Sequence, residues 1–147
     1  MPATLRIVMD ELVGLSNELA AAHPELAVYR YWRPDMQYPA LWHWWRDAPI
    51  SRPDMCTVRT ELAIAVTIAV DPAATVDEDA YRLERYVDDA IAKLSPALDA
   101  NRPLQATAAS LNGFRMVSAQ QGETPFLGVE LDVRVTLDRN PDHTPTP

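Results

Sequence analysis

The stretch VRTELAIAVTIAV, residues 58 to 70, alternates bulky and small side chains from Leu62 to its end. Leu62, Ile64, Val66, Ile68 and Val70 fall on one face of an extended chain, and small residues fall on the other. A period of two with β-branched residues predicts a β-strand. The bulky face is predicted to pack against helices. The small face allows close approach by another sheet or subunit, or it is a tolerated exposed face.

The segments after this strand predict a helix and a hairpin. A capping box at Thr75 to Glu78 opens a helix that we expect to run to about Leu94, because Ser95 precedes Pro96. A polar, alanine-rich connection is expected over 99–113, followed by a hairpin of 114–120 and 126–138. The second hairpin arm alternates apolar and charged residues, which predicts one buried face.

The segments before it predict a helix, a strand and a long loop. An apolar stripe with a spacing of three and four residues predicts a helix from about residue 3 to 22. LAVYRYW, residues 26–32, predicts a strand that ends at Pro34. Residues 34–56 predict a proline-rich connection, in which Pro39 opens a short helix over ALWHWWRD and places Leu41, Trp44 and Trp45 on one side. The predicted fold class is α+β, a small, mostly antiparallel β-sheet with two α-helices packed on one face.

Length and composition limit the possible functions. The 147 residues fit a single domain, predicted over 1–138, with a flexible, polar, proline-rich tail over 139–147. The net charge of −8 and the single lysine argue against tight nucleic-acid binding. No apolar run approaches the roughly 20 residues of a membrane span, so we expect a soluble protein that stays inside the cell that makes it.

Candidate chemistry is sparse. His43, Asp54 and Cys56 form the one polar constellation near the tryptophans, and a Cys/His pair can act as a nucleophile and its base. Nothing in their spacing identifies such a site, and a lone cysteine is typically a small buried hydrophobe. The three histidines lie far apart, without a metal-binding spacing. The carboxylate groups at Asp88-Asp89 and 77–79 are interpreted as solvated faces. We therefore expect no enzyme activity, no metal and no cofactor.

The tryptophans leave three interpretations open. Trp32, Trp42, Trp44 and Trp45 either form a satellite core or a contact surface for another subunit or partner. Tryptophan and tyrosine are enriched at interface hot spots, which favours the contact surface as the functional hypothesis. A ligand pocket in the tryptophan-rich loop 38–49 is the alternative, and it would make the chain a small soluble binding module.

The order of the predicted elements resembles a known family. The elements are a leading helix, a tryptophan/proline loop, the strand RTELAIAVTIAV, the acid-capped helix DEDAYRLERYVDDAIAKL and a closing pair of strands ending in GVELDVRVTLD. In this order they resemble the tail terminator proteins of long-tailed bacteriophages. The resemblance spans roughly residues 3 to 138 and rests on element order and texture. Another head-tail joining or minor tail protein is a closely related assignment.

The resemblance implies a structural virion assembly protein. Copies would form a homo-oligomeric ring, a hexamer, that caps the tail tube, ends tail polymerisation and offers a head-tail joining surface. Its partners would be the major tail protein and head-tail connector proteins, with DNA passing through the lumen without specific binding and no membrane involved. The location would be the virion, at the head-tail interface, and the host cytoplasm during assembly.

Overall fold

Two helices cover one face of a six-stranded sheet in the computed structural model, which describes residues 4–71, 76–99, 108–121 and 124–139. The α+β prediction is confirmed. The elements are α1 Leu5–Ala22, β1 Ala27–Val28, β2 Ala40–Asp47, β3 Ile50–Asp54, β4 Thr57–Val70, α2 Val76–Asp99, β5 Ala108–Gln121 and β6 Thr124–Arg139. The sheet order is β1-β2-β4-β6-β5, and β3 pairs with the start of β4. All pairs are antiparallel except β1 with β2.

Strand β4 is the centre of the sheet, as its alternation predicts. On one side it pairs with β6 along its length, from Val58 opposite Arg139 to Val70 opposite Leu127. Gly128 permits close approach within this seam, since a Cβ there would lie 2.9 Å from the carbonyl oxygen of Ile68. On its other side β4 pairs with β2 and then β3.

The bulky face of β4 carries the main core. Its five predicted inward residues are all buried and pack with the apolar stripes of α1 and α2 and with the inward residues of β6. We call this side of the sheet the covered face. Its closure by both helices confirms the expectation drawn from the bulky side chains.

Helix α1 begins and ends as the sequence indicates. Thr4 is the N-cap, and its hydroxyl accepts a hydrogen bond from the backbone N–H of Ile7 at 3.2 Å. The helix ends at Ala22, before Pro24. Helix α2 is longer than predicted, because it continues through Pro96 to Asp99. Leu94 and Leu98 are fully buried on either side of the proline, and their burial holds the last turn on the sheet.

Three further predictions are wrong in extent. The strand expected over 26–32 consists of Ala27 and Val28 only. The connection expected over 34–56 contains β2 and β3, so ALWHWWRD is a strand and not a helix. The connection expected over 99–113 gives way to β5 at Ala108, although the predicted hairpin with β6 is confirmed. Arg139 belongs to β6, whereas Thr75 and residues 140–147 lie outside the described residues.

Candidate functional site

The second face of the sheet, which we call the open face, has a floor of small side chains. Ala63, Ala65, Thr67 and Ala69 of β4 lie there, on the side of the strand that points away from the main core. Both described helices pack on the covered face, so side chains from strands and loops alone border this floor. The open face is therefore bordered by tryptophans, Phe126 and charged residues.

Trp42 is part of a satellite core on the open face. It is 6% exposed, and its ring meets Phe126 edge-on at a centroid distance of 5.3 Å. Met36, Ala40 and Ala69 are buried in the same cluster, and Trp32 packs against it. The satellite-core interpretation therefore applies to Trp42.

Trp44 and Trp45 form a separate, exposed pair. Their rings stack at a centroid distance of 5.6 Å, and the residues are 51% and 40% exposed. Tyr31 supports both of them: its ring meets Trp44 edge-on at 5.7 Å, and its hydroxyl accepts a hydrogen bond from Nε1 of Trp45 at 3.3 Å. A register shift between Trp45 and Asp47 ends the regular pairing of β2 here. The predicted side-by-side placement of Leu41, Trp44 and Trp45 is wrong, because Leu41 and Trp44 lie on opposite faces of the strand.

A groove of about 450 Å³ runs across the open face between these clusters. Trp32, Trp42 and Trp44 line one side, and Ala65 and Thr67 form part of the floor. Glu130 lies between two arginines in this groove. Its Oε2 lies 2.5 Å from Nη2 of Arg46, and its Oε1 lies 3.2 Å from Nη2 of Arg115. The arrangement joins β2, β6 and β5 through charged groups and leaves aromatic surface exposed beside them.

His43 belongs to the covered face and has a structural explanation. It is fully buried, its Nδ1 lies 3.0 Å from the carbonyl oxygen of Tyr29, and its Nε2 lies 2.8 Å from the Ser16 hydroxyl. A carbonyl only accepts, so in the neutral ring Nδ1–H donates to Tyr29 and Nε2 is an acceptor. The Ser16 hydroxyl has one hydrogen to share between Nε2 and the carbonyl oxygen of Leu12, which lies 3.0 Å from it. Burial lowers the pKa of His43 to about 4, against the opposing effect of the carbonyl contacts. The neutral ring connects β2 to α1.

Cys56 and His43 do not meet within the chain. Asp54 pairs with Thr57 at the start of β4, whereas His43 pairs with Val66. At about 3.3 Å per residue, these two levels of the strand lie roughly 30 Å apart. Cys56 is exposed, which corrects the expectation of a buried thiol, and its backbone N–H donates to Asp54 at 2.7 Å. The candidate Cys/His arrangement is therefore wrong for a single copy of the chain.

A polar cluster between α1 and α2 was not predicted from the sequence. His23 is buried, its Nε2 lies 2.5 Å from Asp89, and its ring meets Tyr86 edge-on at 4.9 Å. Tyr86 donates to Glu25 at 2.8 Å, and burial followed by that carboxylate raises the pKa of Tyr86 to about 12. His23 and Asp89 are 66 positions apart in the sequence, so no local pattern indicates their contact.

The predicted carboxylate faces are partly corrected by these contacts. Asp79 is buried and lies 3.6 Å from Arg82, so it is not part of a solvated face. Asp89 is exposed, as expected, although it also contacts His23. Asp88 is exposed, as expected. Among the residues whose placement is described, no three histidine, cysteine or acidic side chains are grouped to hold a metal ion. Neither described helix combines the length and apolarity needed to cross a bilayer.

Comparison of the sequence with models of known protein families gave no match, and comparison with curated proteins gave none either.

Proposed function

We propose that this chain is a structural assembly protein of a long-tailed bacteriophage, a tail terminator that forms a ring on the end of the tail tube. The ring ends tail polymerisation and provides the surface for head-tail joining. DNA passes through its lumen without specific binding, which is consistent with the net charge of −8. The element order noted in the sequence and the α+β fold both support this assignment.

The observation that carries the proposal is the stacked Trp44–Trp45 pair. Two large aromatic side chains about half exposed, adjacent to the well-packed Trp42, are unusual unless another molecule covers them. Rigid aromatic side chains with a polar handle are typical anchors of protein interfaces. The pair is held in place by Tyr31, so little conformational entropy is lost when a partner covers it.

The test combines assembly and capping. Light scattering across protein concentration, with negative-stain images of the same fractions, should give particles of several chains with a central hole. Purified tail tubes should stop growing when the chain is added. A chain that neither caps tubes nor alters their length would contradict the proposed function.

A matched pair of variants locates the activity. Trp44→Ala with Trp45→Ala should abolish capping and leave the fold intact, because both side chains are largely outside the core. Ile50→Ala with Met55→Ala removes exposed apolar surface of the β3 region and should cap normally. Equal capping by both variants would remove the tryptophan pair from the mechanism.

The second candidate function is a small binding module. The groove beside Trp32, Trp42 and Trp44 favours it, because aromatic side chains and charged groups converge there. Saturable binding of a small molecule by the monomer, lost in Trp32→Ala, would favour this alternative.

A further inference from the structure

One exposed apolar patch lies at the β2 edge of the sheet. We call Trp44, Trp45 and Tyr31 the indole knob. Strand β1 pairs only with Ala40 and Leu41 of β2, so the knob stands where β2 has no neighbouring strand on its outer side among the described residues. Its rings are therefore accessible from the side of the sheet.

A second exposed apolar patch lies at the opposite edge, where β5 is the last strand. Phe114 and Met116 of β5 are 57% and 53% exposed and border a groove against α2. We call it the β5–α2 groove; Leu83, Val87 and Val129 also line it. Its volume is about 280 Å³. Sites for drug-sized ligands span roughly 300–1,000 Å³, so this groove suits one or two side chains better than a separate ligand.

The two patches lie at the same level of the sheet. Trp44 is opposite Ala65, Ala65 is opposite Asp132, and Asp132 is opposite Gly113. Gly113 directly precedes Phe114. Three strand spacings of roughly 4.8 Å place the backbones of the two edges about 14 Å apart, on sides that face away from each other. The knob therefore cannot fill the groove of its own chain, but a second copy beside it can.

Charge distribution also fits a contact between knob and groove. Glu84 and Asp88 line the groove, and neither has an ion-pair partner within the described ranges. Arg30 and Arg46 flank the knob, and their side chains are 37% and 43% exposed although each already pairs with an acid of its own chain. The two acids of the groove would face these partly exposed arginines, whereas groove against groove would bring like charges together.

We infer that the indole knob of one copy inserts into the β5–α2 groove of a second copy. The contact is heterologous, because each copy contributes a different surface. Repetition of such a contact closes into a ring when the rotation between copies allows it. The inference rests on the proposed ring assembly, for which it supplies the interface between subunits.

The test uses two variants with complementary defects. Trp44→Ala with Trp45→Ala removes the knob, and Phe114→Ala with Met116→Ala removes one wall of the groove. Each variant should weaken self-association by at least about 30-fold, as loss of a central aromatic anchor does. An equimolar mixture should form a two-chain particle, because the intact groove of the first variant accepts the intact knob of the second. Urea unfolding of each variant checks that it is still folded. The double variant Ile50→Ala with Met55→Ala controls for an unspecific loss of apolar surface.

The outcomes separate this inference from the proposed function. Mixtures that stay monomeric, or variants that assemble like the wild type, overturn the knob-in-groove contact. A wild-type chain that stays monomeric at roughly 1 mM, where a contact of about 4 kcal/mol is half saturated, also overturns it. Tube capping is measured independently: capping without knob-in-groove association leaves the proposed function standing, and association without capping contradicts the proposed function alone.

Charge reversal by Glu84→Lys with Asp88→Lys should weaken the restored pair in the mixture, and an unchanged affinity would contradict the charge argument.

Discussion

The two faces of the sheet differ although the same strands build both. On the covered face, bulky side chains of β4 and β6 meet two helices, and the main core is closed by the chain itself. On the open face, small side chains meet a limited cluster around Trp42, and Trp44 beyond it is half exposed. Most of the stability is therefore concentrated on the covered face. His43 and Trp44, adjacent in sequence, belong to these two different regions.

The sharpest test of this division compares the substitution of two tryptophans, Trp42 and Trp44. Trp42→Ala should lower the free energy of unfolding by about 3–5 kcal/mol, because it leaves a cavity against Phe126. Trp44→Ala should lower it by about 1 kcal/mol or less, because half of the residue is already in solvent. Urea unfolding of both variants measures the difference. Equal losses would mean that the exposed pair is part of the core.

The covered face should also respond to pH through His43. The pKa of His43 is about 4 in the folded chain, whereas a solvent-exposed imidazole has a pKa of about 6.5, so the unfolded chain takes up the proton first as the pH falls. This contribution to stability is complete above about pH 6.5, declines towards pH 4 and amounts to about 3 kcal/mol. Urea unfolding at pH 7 and pH 4.5 measures it.

The matched variant for that experiment is His43→Asn, which cannot titrate in this range. Other groups titrate in both chains, so the difference between their pH profiles isolates the imidazole. Identical profiles would contradict the assignment of His43 as a buried neutral ring.

On the open face, the ion-paired Glu130 should matter less than His43. Glu130→Gln removes the anion between Arg46 and Arg115 and should destabilise the fold by about 1–2 kcal/mol. The loss should shrink in about 0.5 M salt, because ions screen the partly exposed arginines. Asp132→Asn is the control, since its pair with Arg134 is exposed and worth little. A salt-independent loss would argue for tight packing at Glu130 instead of charge.

The smallest expected effect compares two alanines. Ala65→Val should change stability by about 0.5 kcal/mol or less, because Ala65 lines the grooves of the open face and has space above it. Ala90→Val should destabilise by about 1–3 kcal/mol, since Ala90 is fully buried between α2 and the main core. Thermal unfolding of both variants measures this difference in stability. A large loss at Ala65 would mean that the open face is as closely packed as the covered one.

The same division explains what the sequence predicts. β4 and β6 alternate because each has one bulky buried face, and this alternation predicts both strands and their buried faces. ALWHWWRD does not alternate, because Leu41 and His43 enter the main core while Ala40 and Trp42 enter the satellite core. A strand buried on both faces has no period of two to detect. The first half of β5 also lacks a pattern, since an edge strand with small residues buries little.

The candidate site follows the same logic. The tryptophans were identified from composition, but their separation into core and surface depends on the strand geometry of β2 and its register shift. The clusters around His43 and His23 join residues distant in sequence, with Ser16 in one case and Asp89 in the other. Such contacts are set by how helices dock on the sheet, which no local pattern encodes.

The seam between β4 and β6 has a consequence for the kinetics of folding. Ile64 pairs with Val133 across a long intervening segment that includes α2 and β5, whereas β5 and β6 pair as a local hairpin. A hairpin forms within about 1–10 μs, but a seam of high contact order must first close a long loop. We therefore expect the rate-limiting step to be the meeting of the β5–β6 hairpin with β4. Substitutions in the seam should slow folding, and those in the exposed pair on β2 should leave the folding rate unchanged.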